Sequence, residues 1–250
     1  MTNSKNPAFK LMIVGRRRSE MTLAQHRHHI LEKHGKIVLD LIASHPDHAP
    51  RRYAQNRVVD GTWRASGSVG DPFALTRDFV TQVWFDTPAH AADALSHPLY
   101  KANLQPDEDR FVDQASVVKL AVREQIVMAS PSKTGAVKVF VFFSKLNSVD
   151  PAGFATAWQD RGRELIESGE ADTVQRYVQN LVMARPGETP WADAIDEFWV
   201  NDLAAASTLA QAVRAKITAP LLADGYLAQG SAFHLIAEES LLFAGAGVEN

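Results

Sequence analysis

The string Arg52-Tyr53-Ala54-Gln55-Asn56 recurs half a chain later as Arg176-Tyr177-Val178-Gln179-Asn180. Self-similarity at that spacing is the mark of an internal duplication, and it constrains the fold more than any other feature. Whatever the first half folds into, the second half must fold into as well. The two copies of the string are also a control. A residue kept in both is explained by architecture, and a residue present in one copy only is a candidate for chemistry.

Read in order, the first half alternates regularly. Phe9–Val14 is a β-rich run ending at Gly15 and Arg16-Arg17-Arg18, a basic run read as a solvated strand end. Thr22 is a candidate N-cap for a helix over 23–43, in which Ile30, His34, Ile37 and Leu41 form one face directed at a sheet. A strand over 51–59 carries the repeated string. Residues 60–77 read as a long loop, a length that favours a lid or binding loop. A strand over 78–86 follows. Thr87-Pro88 opens a helix to Ala94, and a further helical turn runs from 98 to about 104. The fourth strand covers 117–122. This order, β-α-β-β-α-β, is the ferredoxin-like split unit.

The order then begins again, with a strand over 137–143, a helix from Asp150-Pro151 to about Ser168, strands over 176–183 and 193–201, a helix over 202–217 and a last strand over 232–236. Trp199 falls on Trp84 and Asp193 on Asp78. The expected domains are residues 1–129, a linker at 130–136, and 137–250. A four-stranded sheet with helices on one face leaves its other face apolar and needing cover. The expected fold class is therefore α+β, with two ferredoxin-like repeats pairing their sheets into one intramolecular barrel. Such a chain is either a monomer containing a pseudo-dimer or a homodimer.

Composition narrows the chemistry. The sequence has no cysteine, which excludes a disulfide framework, a thiolate nucleophile and cysteine metal sites, and fits a cytoplasmic location. A net charge of −3 gives no general attraction for nucleic acid. The polar start, Met1–Lys10, predicts no secretion signal, and no apolar run is long enough to span a membrane. There is no phosphate-cradling glycine loop, no dinucleotide fingerprint and no nucleophile elbow. His26, His28 and His29 cluster on the first helix without an acidic partner in sequence, so no metal site is expected, and the cluster reads as a solvated patch.

The runs Phe9–Arg18, Met21-Thr22, His34-Gly35, Arg52-Tyr53-x-Gln55-Asn56, Asp78 with Val83-Trp84-Phe85-Asp86, and Arg110-Phe111-Val112-Asp113 resemble the EthD-like branch of the dimeric α+β barrel superfamily. The resemblance covers the first half nearly end to end and the second half more weakly. It implies the barrel fold, a pocket between sheet and helices, and a small hydrophobic ligand. It fixes no reaction, because relatives include cyclases, decarboxylases, muconolactone-type isomerases, cofactor-free monooxygenases and haem-degrading enzymes.

His34 stands where the family's helix carries a His-Gly pair. Histidine exchanges protons near neutral pH without large tuning, so His34 is the first candidate for acid/base catalysis. Asp78 is the second, as base or as orienter of a histidine. Tyr53, Asn56, Arg52, Trp84 and His29 are candidate substrate contacts. Aligning the two halves places Gly162 at the position of His34, so the second half lacks the catalytic group. The expected function is cofactor-independent acid/base chemistry of lyase, decarboxylase, cyclase or isomerase type. The substrate would be a small hydrophobic, aromatic or lactone-like metabolite. The alternatives are a non-catalytic binding protein of a catabolic pathway and a haem-binding or cofactor-free monooxygenase.

Overall fold

The computed structural model describes residues 9–63, 76–129, 137–184 and 188–245. Most of the loop expected at 60–77, and the linker expected at 130–136, lie outside them. Eight strands are hydrogen-bonded in the closed order β1-β3-β2-β8-β5-β7-β6-β4, an eight-stranded barrel of the α+β class. Two compact units divide the chain: residues within 1–57, 77–122 and 239–250, and residues within 58–76 and 123–238.

In the first unit β1 (Phe9–Gly15) lies between β3 (Phe79–Phe85) and β4 (Val118–Met128), and β3 also pairs with β2 (Arg52–Gly61). All these pairs are antiparallel. Alternation puts Phe9, Leu11, Tyr53, Phe79 and Phe85 on the face that packs against helices. The helices are started by side-chain caps. Thr22 accepts from Gln25 N–H while Gln25 reaches back to Thr22, a capping box that opens α1 (Leu23–His28). Thr87 caps α3 (Pro88–Ser96) by accepting from His90 N–H, with Pro88 at its first turn.

Both helical layers of this unit contain a π turn. His29–His34 joins α1 to α2 (Gly35–Ser44), and Tyr100–Leu104 joins the end of α3 to α4 (Gln105–Phe111). The second helix therefore continues seven residues past the expected end at 104. The first π turn adds a residue to its helix and shifts the face that follows. The buried positions are Ile30, Gly35, Val38 and Ile42, rather than Ile30, His34, Ile37 and Leu41. His34, Ile37 and Leu41 share a face, as expected, but that face meets α4 and its approaches instead of the sheet.

The second unit repeats the plan. β5 (Val137–Lys145) lies between β7 (Ala194–Val200) and β8 (Leu227–Ala244), and β7 pairs with β6 (Arg176–Val182). α5 (Pro151–Glu167) is capped by Asp150, and α6 (Leu203–Val213) by Asp202. A π turn at Arg214–Thr218 leads into α7 (Ala219–Ala223). The core joins Val139, Val141 and Phe143 of the sheet to Phe154, Trp158 and Leu165 of α5 and to Leu209, Val213, Ile217 and Leu221. The last strand is far longer than the 232–236 expected. No helix among the described residues is long and apolar enough to cross a membrane.

The repeated string now has a physical reason. In register, Trp84 lies directly between Lys10 of β1 and Arg52 of β2. The ammonium and the guanidinium stand 4.9 and 4.8 Å from its ring. Trp199 lies likewise between Lys138 and Arg176, at 4.2 and 5.0 Å. Each such cation–π contact contributes roughly 0.5–2 kcal/mol. These trios occupy the face of each sheet opposite the helices.

Candidate active site

On an α-helix of 3.6 residues per turn, side chains five apart point in different directions. The π turn His29–His34 closes with a bond from Gly35 N–H to Ile30 C=O, a spacing that brings residues five apart onto one side. His29 and His34 thereby reach the same group. His29 Nε2 lies 3.0 Å from Asp107 Oδ1, and His34 Nδ1 lies 3.1 Å from Asp107 Oδ2. Asp107 is buried at the start of α4, beyond the second π turn. Phe111, one turn further on, stacks on His29 at 4.8 Å and meets His34 at 5.1 Å between ring centres. The Gln55 amide donates to Ile30 C=O at 2.7 Å, which fastens the π turn to the sheet.

A nitrogen facing a carboxylate carries the proton, so the Asp107 contact fixes His34 with hydrogen on Nδ1 and a lone pair on Nε2. Burial pushes the His34 imidazole below its ordinary value, while Asp107 pulls the other way. The ring is therefore neutral at pH 7. Its side chain keeps 12% of its surface exposed, enough for one edge to be reached. Asp107, rather than either histidine, lines a cleft of about 510 Å³. Ile37, Leu41, Leu99 and Leu104 give it apolar walls, and Asp107 and Arg110 line it as well. Arg110 sits 3.9 Å from Asp107 with most of its side chain in solvent.

His26 completes the group. It is buried against Phe79 and Phe111, and neither ring nitrogen has a hydrogen-bond partner among the described residues. Burial lowers its pKa to about 4, against a smaller opposing pull from Asp78. The expected solvated histidine patch is thus corrected: His26 is in the core, His29 is held by Asp107, and of the three only His28 is exposed.

The other candidates are placed elsewhere. Asp78 accepts from Arg17 N–H and from the Arg17 guanidinium, both at 2.7 Å, and its own N–H donates to Gly15 C=O. Asp193 does the same at the end of β5, accepting from Lys145 N–H, with its N–H on Phe143 C=O. Asp78 is therefore a strand-end clamp present in both copies, and it is not brought to His34. Arg16 pairs with Asp113 at 2.8 Å and Arg18 with Glu20, so the basic run is held by carboxylates. The Tyr53 hydroxyl accepts from Gln55 beneath the helices, and burial raises its pKa far above the usual phenol value. Asn56 donates to Val80 C=O and to Gln82, and Arg52 packs on Trp84, all on the sheet's opposite face. Of the sequence candidates, His34 and His29 converge on Asp107, and Arg52 meets Trp84 on the far face of the sheet. Among the described residues no group of three or more His, Asp or Glu is arranged to hold a metal ion.

Sequence reasoning missed Asp107, Phe111 and His26. The repeat could have found them once the π turn is allowed for. Superposing the N-caps Thr22 and Asp150 sets His26 on Phe154 and His29 on Ala157. Past the extra residue Gly35 falls on Gly162; Gly35 backs onto Gln55, and Gly162 onto Tyr177 and Gln179 of the repeated strand. His34 then falls on Arg161, which pairs with Glu164 and Asp224, rather than on Gly162. Pro106 and Pro220 open α4 and α7 alike, which sets Asp107 on the core residue Leu221. All four polar residues belong to the first copy only.

Comparison with known proteins agrees with this division. The family model described as the EthD domain matches residues 18–115. That match lies wholly within the first half. Solved structures resemble the chain through both halves. An anthrone oxidase-like protein has a TM-score of 0.64 at 9% identity, covering 98% of this chain and 99% of that one. A candidate monooxygenase from Lactobacillus acidophilus NCFM has a TM-score of 0.54 at 8% identity, covering 98% and 100%. Chlorite dismutase from Candidatus Nitrospira defluvii, solved in complex with imidazole, has a TM-score of 0.50 at 10% identity, covering 95% and 93%. At these identities the likeness is one of fold. No curated protein matches the chain in sequence.

Proposed function

We propose that this EthD-domain chain is an acid/base enzyme of lyase, decarboxylase, cyclase or isomerase type, acting on a small hydrophobic molecule in the first-half cleft. The observation that carries this reading is the convergence of His34 and His29 on the buried Asp107, beside a cleft and in one copy only. His34 Nε2 takes a proton from the bound molecule and returns it at another position. Asp107 holds the Nδ1–H and stabilises the imidazolium formed in between, the role an orienting carboxylate plays for any catalytic histidine. His29 holds the second oxygen of Asp107 and so fixes the plane of the carboxylate. Arg110 favours negative charge developing on the substrate. Asp78, Tyr53, Asn56, Arg52 and Trp84 build the frame in this reading, and no cofactor enters the proton transfer.

The test is depletion of a panel of aromatic and lactone-bearing small molecules, followed by mass spectrometry. The wild-type chain is expected to convert at least one. His34→Ala and Asp107→Asn should lower kcat about 10²–10⁴-fold, the usual contribution of a positioned acid/base. Arg161→Ala, in the second copy, should leave the rate unchanged. Equal turnover by wild type and His34→Ala contradicts the proposal.

A further inference from the structure

The second unit has a cleft of its own, about 630 Å³ in volume, between the π turn after α6 and the strands β5 and β8. Its floor is apolar, formed by Val141, Ile236 and Leu222. Its polar groups come from three elements: Gln211, Arg214 and Thr218 from the helical side, Gln229 and His234 from β8, and Asp60 from the end of β2. Three observations set this cleft apart. Arg214 and Thr218 are the first and last residues of the π turn, a rare helical form that recurs at functional sites. Arg214 is exposed and has no carboxylate partner among the described residues, in a chain where another π turn, at His29–His34, serves a buried Asp. His234, the one histidine of the second half, lines the same space.

We propose that this cleft is a second ligand site, separate from the first-half cleft lined by Asp107, for a small carboxylate with a short apolar body. The guanidinium of Arg214 takes the carboxylate, since a planar fork of N–H groups matches two oxygens at once. The hydroxyl of Thr218 and the amide of Gln211 supply further donors on the same side. Val141, Leu222 and Ile236 receive the apolar part. Burial holds His234 below its ordinary value, with Asp60 opposing, so at neutral pH it is an uncharged donor and acceptor. A hydroxyl on the ligand would be bonded there. Asp60 places one negative charge in the lining and disfavours a multiply charged anion. A single guanidinium beside a carboxylate therefore selects a monoanion over a phosphate.

The experiment is an amide and imidazole NMR titration of the full chain with three probes: benzoate, its neutral analogue benzamide, and inorganic phosphate. Benzoate is expected to shift Gln211, Thr218 and His234, with benzamide and phosphate much weaker. Arg214→Gln should weaken benzoate about 10–100-fold, the range for losing a charge-assisted pair. His34→Ala should leave binding as it is, so failure of the first-half proposal is read separately. Benzoate binding unchanged in Arg214→Gln, equal binding of benzamide or phosphate, shifts confined to Leu41, Leu99 and Arg110, or no shift with any probe would each overturn the assignment.

Discussion

His26 is a costly residue where it stands. An imidazole buried against Phe79 and Phe111, with neither nitrogen partnered among the described residues, forfeits its hydrogen bonds to water. Such a group costs about 1–3 kcal/mol. The second copy fills the same slot with Phe154, so the fold has no need of a polar ring there. His26→Phe is therefore expected to raise the melting temperature, read in a thermal unfolding scan. A fall would show that the buried ring is satisfied. The pH dependence has a definite sign. With its folded pKa near 4, below the unfolded value, His26 binds a proton more readily in the unfolded chain. Its contribution to stability is whole above about pH 6.5 and is lost as pH falls toward 4. His34 is lowered as well, so a rate that depends on its neutral form should level off at a lower pH than an unperturbed histidine of the 6–7 range would give.

The glycines under the long helices test the elements. A Cβ on Gly162 would overlap the Tyr177 hydroxyl and the Gln179 amide, whereas one on Gly35 would meet Leu242 at 3.2 Å and Gln55 at 3.4 Å. Gly162→Ala is expected to cost about 1–3 kcal/mol and Gly35→Ala clearly less, by denaturant unfolding. Equal losses would mean the two helices do not approach their strands as described. The elements also show what the sequence disclosed and what it hid. Strands, caps and the duplication were legible because alternation, Thr and Asp before helices, and R-Y-x-Q-N are local patterns. The π turn was not legible. It adds one residue to an otherwise regular helix, leaves composition unchanged, and moves every later side chain to a new face. Assuming an unbroken 3.6 period put His34 against the sheet and on Gly162. It also left Asp107, 73 residues away in the chain, without a reason to be considered.

Over the whole molecule the two copies share a frame and differ in what they bury. The first holds His26, His29, His34 and Asp107, and the second holds Phe154, Ala157, Arg161 and Leu221 in their places. The second copy has its own buried acid. Asp196 takes the Tyr177 hydroxyl at 2.8 Å, yet burial outweighs that bond and raises its pKa to about 8. The folded chain then binds a proton that the unfolded chain gives up near pH 4. Its contribution to stability is full below about pH 4, declines as pH rises toward 8, and is flat beyond. Between pH 4 and 6.5 this opposes the His26 effect, so wild-type stability should be nearly level there and fall above it. Asp196→Asn should remove the alkaline decline in chemical unfolding from pH 6.5 to 8.5, and a decline that persists would assign it elsewhere. The duplication thus supplies a frame twice, while the proposed proton chemistry rests on His34 and Asp107 in one copy. The most direct test of that is a long-range ¹H–¹⁵N titration of the His34 ring in wild type and Asp107→Asn. Wild type is predicted to show the Nδ1–H tautomer, titrating below 6.5, with the preference lost in the variant. An Nε2–H tautomer in wild type, or the same spectrum in both proteins, would contradict the account.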